Sequence, residues 1–204
     1  YKALETARQL MQAGARVTGV MTESAKEFIT PLSLAALTGE KCYDSLFSLT
    51  DEAEMGHINL ARASDLVLVA PATANIMARA ANGLADDLAT TILLATSAPI
   101  AMAPAMNPVM WANPATQSNF ASLRQRGVHM IGPVSGDTAC GEEGEGRMSE
   151  PAEIVSAALM IARPRCSSKL VGKHILVTSG PTVEPIDSVR FIANHSSGKQ
   201  GHAI

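Results

Sequence analysis

Three side chains that could take part in catalysis lie far apart in the sequence. His57 stands just before an amphipathic segment, Asn107 follows an apolar run, and Cys140 lies in a glycine-rich stretch. An imidazole exchanges a proton near neutral pH, and an amide can donate to a carboxylate while accepting elsewhere. A cysteine among glycines is exposed enough to react. The residue types therefore suit proton transfer and carboxylate binding.

Each of these residues also has a structural interpretation. His57 could cap a helix or lie on the surface, and Cys140 could be an incidental loop thiol. Asn107 is flanked by residues that could belong to the core, namely Met106, Met110 and Trp111. Asn107 itself is harder to explain in this way, because it follows a buried strand. The residues alone leave these alternatives open.

Two apolar runs predict the strands that position the site. Residues 66–70 and 99–103 are each typical of a strand buried in a parallel sheet. The turns 71–75 and 104–107 follow them, at the strand ends where open α/β sheets bind ligands. The small residues of the first turn would let a flat ring approach, with Thr73 and Asn75 in contact. Alternatively, Thr73 is simply the N-cap of a helix.

Helical spacing alternates with these strands, which predicts an α/β protein with a three-layer parallel sheet. Residues 22–24 offer N-caps for a helix, and Ser24 with Glu27 fits a capping box. Asp86 is placed to cap a later helix. The glycine-rich stretch 132–146 is expected to be a loop and a candidate lid. Helices are expected over residues 58–63, 73–82, 86–95, 108–126 with a break at 113–114, and 151–162; further strands are expected over 17–21, 128–131 and 173–178.

Composition excludes several functional classes. The net charge is −3 and no Lys/Arg block stands out, which argues against a nucleic-acid partner. The apolar runs are too short to span a membrane, and no secretory signal is visible. Cys42, Cys140 and Cys166 lack metal-ligand spacing. They predict a reduced, cytoplasmic protein without disulfides or a metal site.

Several motifs resemble those of one family in order and spacing. They are His57, PATANI at 71–76, PAMNPVMW at 104–111 and the Cys140 loop. The sequence resembles the flavin-containing cysteine decarboxylases. Within them it is similar to the bifunctional phosphopantothenoylcysteine decarboxylase/phosphopantothenate–cysteine ligases of coenzyme A biosynthesis. The resemblance implies a Rossmann-like, flavodoxin-type domain over 1–162, a linker over 163–172, and the beginning of a second α/β domain, the ligase, over 173–204.

The resemblance also implies roles for individual residues. Cys140, His57 and Asn107 would be catalytic, with Asn107 holding the substrate carboxylate and Cys140 donating a proton from a closing loop. Met106 and Ala139 would also contact the substrate. The family's flavin phosphate loop would precede Tyr1, and Ile76 replaces a hydroxyl residue of the usual PASANT turn. The FMN contacts would be Thr22, Pro71, Ala72, Thr73, Asn75 and Met106.

The implied reaction is the FMN-dependent decarboxylation of 4'-phospho-N-pantothenoylcysteine to 4'-phosphopantetheine, through a transient thioaldehyde and enethiolate. The implied assembly is a homo-oligomer built from trimers, with a dodecamer as one arrangement. The complete protein would also join 4'-phosphopantothenate to cysteine with CTP and Mg²⁺, although residues 173–204 alone are expected to have no ligase activity. The opening motif of the ligase comprises Gly180, Asn194, Ser196, Ser197, Gly198 and Lys199.

Three other functions explain the sequence less well. A flavin prenyltransferase would share the fold but not the Cys140 loop. A regulatory flavoprotein without activity should lack His57, Asn107 or Cys140, and this chain has all three. An NAD-binding module would need a GxGxxG motif after a strand, and none follows any strand that the sequence predicts.

Overall fold

The structure is a computed structural model, and it describes residues 1–45, 56–137, 141–162, 176, 180–181 and 183–199. The chain divides into two compact units, Tyr1–Arg163 and Pro164–Ile204, which are described separately. Ala139 and Cys140 lie outside the described residues, as does most of the strand expected over 173–178.

Helices and strands alternate through the first unit, as the sequence predicts. Its helices are α1 (Lys2–Gln12), α2 (Glu23–Lys26), α3 (Pro31–Thr38), α4 (Gly56–Ala63), α5 (Ala74–Ala81), α6 (Leu88–Ala95), α7 (Pro108–Ala112), α8 (Pro114–Gln125) and α9 (Pro151–Ala162). Its strands are β1 (Gly19–Val20), β2 (Cys42–Tyr43), β3 (Val67–Ala72), β4 (Ile100–Pro104), β5 (His129–Met130), β6 (Val134–Asp137) and β7 (Glu143–Arg147).

The central strands are parallel and lie in the order β3-β4-β5. Strands β1 and β2 form a second parallel pair. A cavity of about 140 Å³ is lined by Thr18 and Val20 on one side and by residues 66–69 on another. Among the described residues, this cavity lies between the β1–β2 pair and the β3-β4-β5 sheet.

Strand β4 divides the core into two layers because its side chains alternate between the faces of the sheet. Met102 packs in one cluster with Met77 of α5 and Leu123 of α8. Ala101 and Ala103 belong to another cluster, which includes residues of α9. The sheet therefore has helices on both faces, and the predicted three-layer α/β fold is confirmed.

The N-cap expected within residues 22–24 is Thr22, whose hydroxyl accepts from the Ala25 amide. The predicted capping box of Ser24 and Glu27 is wrong, and so is the cap predicted at Asp86. The N-cap of α6 is Asp87, one residue after the predicted Asp86. Asp87 occupies this position because its carboxylate accepts from the amide of Thr90 at 2.8 Å.

The glycine-rich stretch 132–146 is not simply a loop. Strands β6 and β7 pair there as an antiparallel hairpin, which we call the arm. Its glycines allow a close approach: a Cβ on Gly144 would lie 2.9 Å from Pro108, and one on Gly146 would lie 2.4 Å from the Met106 carbonyl oxygen. The absence of side chains at these glycines lets the arm pack closely against residues 106–108, so the stretch is not an open loop.

The break expected near residue 113 is confirmed, because Asn113 ends α7 and caps α8. At the far end of the arm, the Lys2 ammonium donates to the Met148 carbonyl at 2.7 Å and to Glu150 at 2.9 Å. These bonds fasten α1 to the segment that leaves the arm.

The described residues of the second unit form one antiparallel hairpin, β8 (Val183–Pro185) with β9 (Phe191–Ala193). The Asp187 carboxylate accepts from the amides of Val189 and Arg190 and closes the turn. No helix among the described residues of the whole chain is long and apolar enough to cross a membrane.

Candidate functional site

The two predicted turns lie side by side at one edge of the sheet. Ala72 pairs with Pro104 at the ends of β3 and β4, and the Ala105 amide donates to the Ala72 carbonyl at 3.0 Å. Residues 71–75 and 104–107 therefore leave the sheet together. The structure supports the expectation that they border one site.

The turn after β3 begins helix α5. Thr73 is the N-cap, and its hydroxyl lies 3.4 Å from the Ile76 amide that it accepts from. The structural interpretation of Thr73 as a cap is thus correct. Ala72 is fully buried, whereas Pro71, Thr73 and Asn75 are exposed.

The turn after β4 fixes the orientation of the Asn107 amide. Asn107 is the N-cap of α7, and its Oδ1 accepts from the amides of Val109 at 2.7 Å and Met110 at 3.4 Å. Because backbone N–H groups can only donate, the oxygen must face the helix. The Nδ2 group faces the other way and donates to the carboxylate of Glu142.

The arm packs directly against this second turn. The Met106 amide donates to the Gly146 carbonyl at 2.9 Å, and Gly144 and Gly146 make the close contacts with Pro108 and Met106 already described. The arm is therefore held beside Asn107 through its return strand, β7. Sequence reasoning placed Asn107 and the arm in one site, and the structure brings them together.

The apolar residues around Asn107 have different positions. Trp111 is buried and its ring meets that of Phe120 edge-on, with centroids 5.0 Å apart. Met106 is half-buried and packs against the same core cluster. Met110 and Val109 are exposed. The core interpretation is therefore correct for Trp111 and wrong for Met110.

The remaining candidate residues are less fully described. His57 is the second residue of α4, and its side chain lies outside the described residues, as do Ala139 and Cys140. Thr22 follows β1, and its hydroxyl is 3.3 Å from the Ala25 amide. Burial raises the pKa of the Cys42 thiol, which disfavours the reactive thiolate.

Two features of this region were missed by sequence reasoning. One is Glu142, whose contact with Asn107 joins residues 35 positions apart. The other is Arg79 on α5, which pairs with Asp86 and, at 2.6 Å, with Asp87. Burial of Asp87 opposes ionisation, but hydrogen bonds from Thr90 and Arg79 outweigh it and lower the pKa of the Asp87 carboxyl.

The Arg79 cluster holds α5 against α6 and is structural. Within the described residues, no group of three or more His, Cys, Asp or Glu side chains could hold a metal ion. The end of β3 and the turn after it present small side chains, with Thr73 and Asn75 exposed.

Comparison with known proteins identifies families for both units. Residues 1–163 match the family model described as Flavoprotein. Residues 170–204 match the model of the DNA/pantothenate metabolism flavoprotein C-terminal domain.

Full-length relatives extend beyond this chain. The coenzyme A biosynthesis bifunctional protein CoaBC of Vibrio cholerae is 52% identical over 204 residues, which is 100% of this chain and 50% of that protein. The chain thus spans about half the length of the curated relatives it matches.

Solved structures resemble the first unit. A cysteine-to-serine mutant of PPC decarboxylase in complex with pantothenoylaminoethenethiol has a TM-score of 0.67 and 32% identity, covering 78% of this chain and 91% of that one. The FMN-dependent cysteine decarboxylase TvaF from thioviridamide biosynthesis has a TM-score of 0.65 and 30% identity, covering 79% and 90%. These similarities confirm the flavodoxin-type fold. The chain belongs to the flavoprotein family that includes these decarboxylases.

Proposed function

We propose that this chain carries the decarboxylase part of a bifunctional protein of coenzyme A biosynthesis. In this proposal residues 1–162 form the decarboxylase domain, 163–172 a linker, and 173–204 the start of the ligase domain. The reaction is the loss of CO₂ from 4'-phospho-N-pantothenoylcysteine to give 4'-phosphopantetheine. The similarity to CoaBC proteins along the whole chain supports this assignment.

The orientation of the Asn107 amide is the observation that carries the proposal. Two backbone amides hold its oxygen, so its NH₂ group points away from α7, where it meets a carboxylate. A site that already offers an amide donor to a carboxylate can hold the carboxylate of a cysteinyl substrate. Fixing that group in one orientation contributes to the rate of decarboxylation.

The proposed cofactor is FMN, which supplies a reversible hydride acceptor and so the electron sink that decarboxylation of a cysteine requires. The surface of Pro71, Ala72, Thr73 and Asn75 would hold its ring. Met106 and Thr22 complete the proposed contacts. The support is the exposed, small-residue turn beside β4, together with the FMN dependence of the similar protein TvaF.

The proposed acid is Cys140, which delivers a proton to the substrate carbon next to the lost carboxylate. It lies in the chain between the two strands of the arm, and β7 packs beside Asn107. Met106 and Ala139 would contact the substrate, and His57 would exchange a proton from the start of α4. The roles of His57, Ala139 and Cys140 rest on the sequence resemblance.

We also propose a homo-oligomer built from trimers and a cytoplasmic location. Apolar side chains beside Asn107 support the assembly: Val109 is 71% exposed and Met110 is 49% exposed. Exposed apolar surface next to a site is typical of a face that another subunit covers. In the complete protein, the ligase would use CTP and Mg²⁺ to join 4'-phosphopantothenate and cysteine.

Product mass tests the function directly. The full-length protein, loaded with FMN, is incubated with 4'-phospho-N-pantothenoylcysteine. We expect wild type to release CO₂ and give 4'-phosphopantetheine, and Cys140→Ser to give a decarboxylated but oxidised product. Unchanged substrate with wild type would contradict the decarboxylase assignment. Equal amounts of reduced product from both would assign the acid to another residue.

A further inference from the structure

The Asn107 amide has a donor side and an acceptor side that face in opposite directions. The acceptor, Oδ1, is used within α7 by the amides of Val109 and Met110. The donor side, Nδ2, faces the arm and binds the carboxylate of Glu142. The group proposed to bind the substrate carboxylate is thus engaged by a carboxylate of the protein itself.

Glu142 is well placed to leave this contact. Its side chain is exposed, so its carboxylate can return to water. The arm does not depend on Glu142 for its position, because the Met106 amide binds the Gly146 carbonyl at 2.9 Å and Pro108 packs on Gly144. Glu142 can therefore exchange while β7 stays in place.

We propose that Glu142 is an internal competitor of the substrate carboxylate at Asn107. The inference rests on the proposed function, because it takes Asn107 as the carboxylate-binding residue. Without substrate, Glu142 accepts the hydrogen bond of Asn107 Nδ2. A substrate carboxylate displaces it, and the Glu142 carboxylate returns to water.

The same exchange leaves Asn107 bound to the protein's own carboxylate once the product has formed. When CO₂ is lost, the ligand of Asn107 changes from a carboxylate to a neutral molecule that accepts hydrogen bonds weakly. Glu142 then regains Asn107, since charged acceptors make the stronger bonds.

Substitution of Glu142 tests the proposal in the full-length, FMN-loaded protein. Glu142→Gln replaces a charged acceptor by a neutral one, so it should compete less well. We expect the KM for 4'-phospho-N-pantothenoylcysteine to fall about three- to tenfold, because charge-assisted hydrogen bonds are roughly twice as strong as neutral ones. The inhibition constant of 4'-phosphopantetheine, which has no such carboxylate, should not change.

Glu143→Gln is the matched control, because Glu143 is an exposed neighbour of equal charge on the same arm. An equal fall in KM in both variants would mean that the loss of surface charge in general, and not competition at Asn107, causes the effect. A rise in KM in Glu142→Gln alone would mean that Glu142 positions Asn107 and does not compete. Either result, or an unchanged KM, would overturn the proposal.

These failures differ from a failure of the proposed function. If wild type releases no CO₂, the decarboxylase assignment itself is wrong. If wild type is active and Asn107→Ala raises the substrate KM without changing inhibition by 4'-phosphopantetheine, Asn107 binds the carboxylate. The Glu142 variants then test the competition alone.

Discussion

The two turns that border the site solve the same structural problem with different side chains. Each follows a parallel strand and each begins a helix through a side-chain cap. At the first turn, the single hydroxyl of Thr73 accepts from the Ile76 amide. At the second, the Asn107 amide accepts from the helix through its oxygen and still presents its nitrogen to Glu142.

This difference shows how a helix cap can also bind a ligand. An amide carries acceptor and donor on separate atoms, so capping leaves the donor available. A hydroxyl uses one oxygen for both purposes. The turn after β4 is also covered by the arm, whereas the turn after β3 exposes Pro71, Thr73 and Asn75. We expect carboxylate binding at the turn after β4 and ring binding at the turn after β3.

The largest effect is expected from a substitution that forces the arm away from the turn after β4. Gly146→Ala would place a Cβ 2.4 Å from the Met106 carbonyl oxygen, at a φ of +147°. We expect a loss of about 3 kcal/mol in the free energy of unfolding, or detachment of the arm, since neither backbone can yield easily. Urea denaturation measures the first outcome and limited proteolysis the second.

Gly83→Ala is the control for this substitution. Gly83 also has a positive φ, +69°, but an added Cβ would meet nothing within 4 Å. Its cost should be about 1 kcal/mol, which is the penalty of the left-handed conformation alone. Equal losses in the two variants would show that contact with Met106 is unimportant.

Asn107→Asp separates the two functions of the second cap. Asp caps helices as well as Asn does, so the free energy of unfolding should change by less than about 0.5 kcal/mol. The donor, however, becomes a second carboxylate facing Glu142 and the substrate. We expect kcat/KM to fall about 100-fold, which corresponds to losing a hydrogen bond to a charged group.

The measurements for Asn107→Asp are steady-state kinetics and thermal unfolding of the same preparation. A stability loss as large as the loss of activity would mean that the amide nitrogen is structural. The comparison of the two turns would then lose its functional meaning.

At the first turn we expect loss of the Thr73 hydroxyl to weaken the cap of α5 and so to lower stability. Thr73→Ala should cost about 1 kcal/mol of stability, because the Ile76 amide loses its cap. Thr73→Ser keeps the acceptor and should restore most of this. Denaturation curves of the three proteins, each loaded with FMN, make the comparison. A Thr73→Ser variant no more stable than Thr73→Ala would contradict the capping role.

The smallest effect is expected at a third helix cap, the Asp87 carboxylate. Its contribution to stability depends on pH. Its pKa is lower in the folded chain than in the unfolded one, so ionised Asp87 stabilises the fold above the ordinary pKa of about 4. That contribution is lost as pH falls through the lower, folded value. Asp87→Asn keeps the cap and should cost about 0.5 kcal/mol at pH 7.

The difference between wild type and Asp87→Asn should disappear as denaturation is measured at successively lower pH below 4. Asp86→Asn serves as the control, since the Asp86 side chain is 71% exposed and should contribute less. A constant difference at all pH values would mean that the charge of Asp87 does not stabilise the fold.

The architecture was predictable because it depends on patterns that are local. Apolar runs at 66–70 and 99–103 identified β3 and β4, within one or two residues of their bounds. The role of Asn107 as a cap was also readable, because proline follows it at the first helical position. The Asn–Pro pair at residues 113–114 starts α8 in the same way.

The arm and Glu142 were not predictable because they depend on contacts distant in sequence. Glycine-rich segments form loops as readily as tight hairpins. Here Gly146 packs closely on the Met106 carbonyl, a contact that lies far away in the sequence. Glu142 is one of several acidic residues in the stretch, and only the folded chain brings it to Asn107. The sequence placed the N-cap of α6 one residue too early, at Asp86, because the adjacent Asp86 and Asp87 carboxylates could each cap the helix.

The alternating pattern of β7 has a consequence for how this site can evolve. Gly144 and Gly146 face the second turn and accept no added side chain, while Glu143 and Glu145, which alternate with them, are exposed. Since successive strand residues face opposite sides, the outer positions can be substituted without disturbing the inner contacts. The charge on the outer side of the arm can therefore change without altering the contacts that hold β7 beside Asn107.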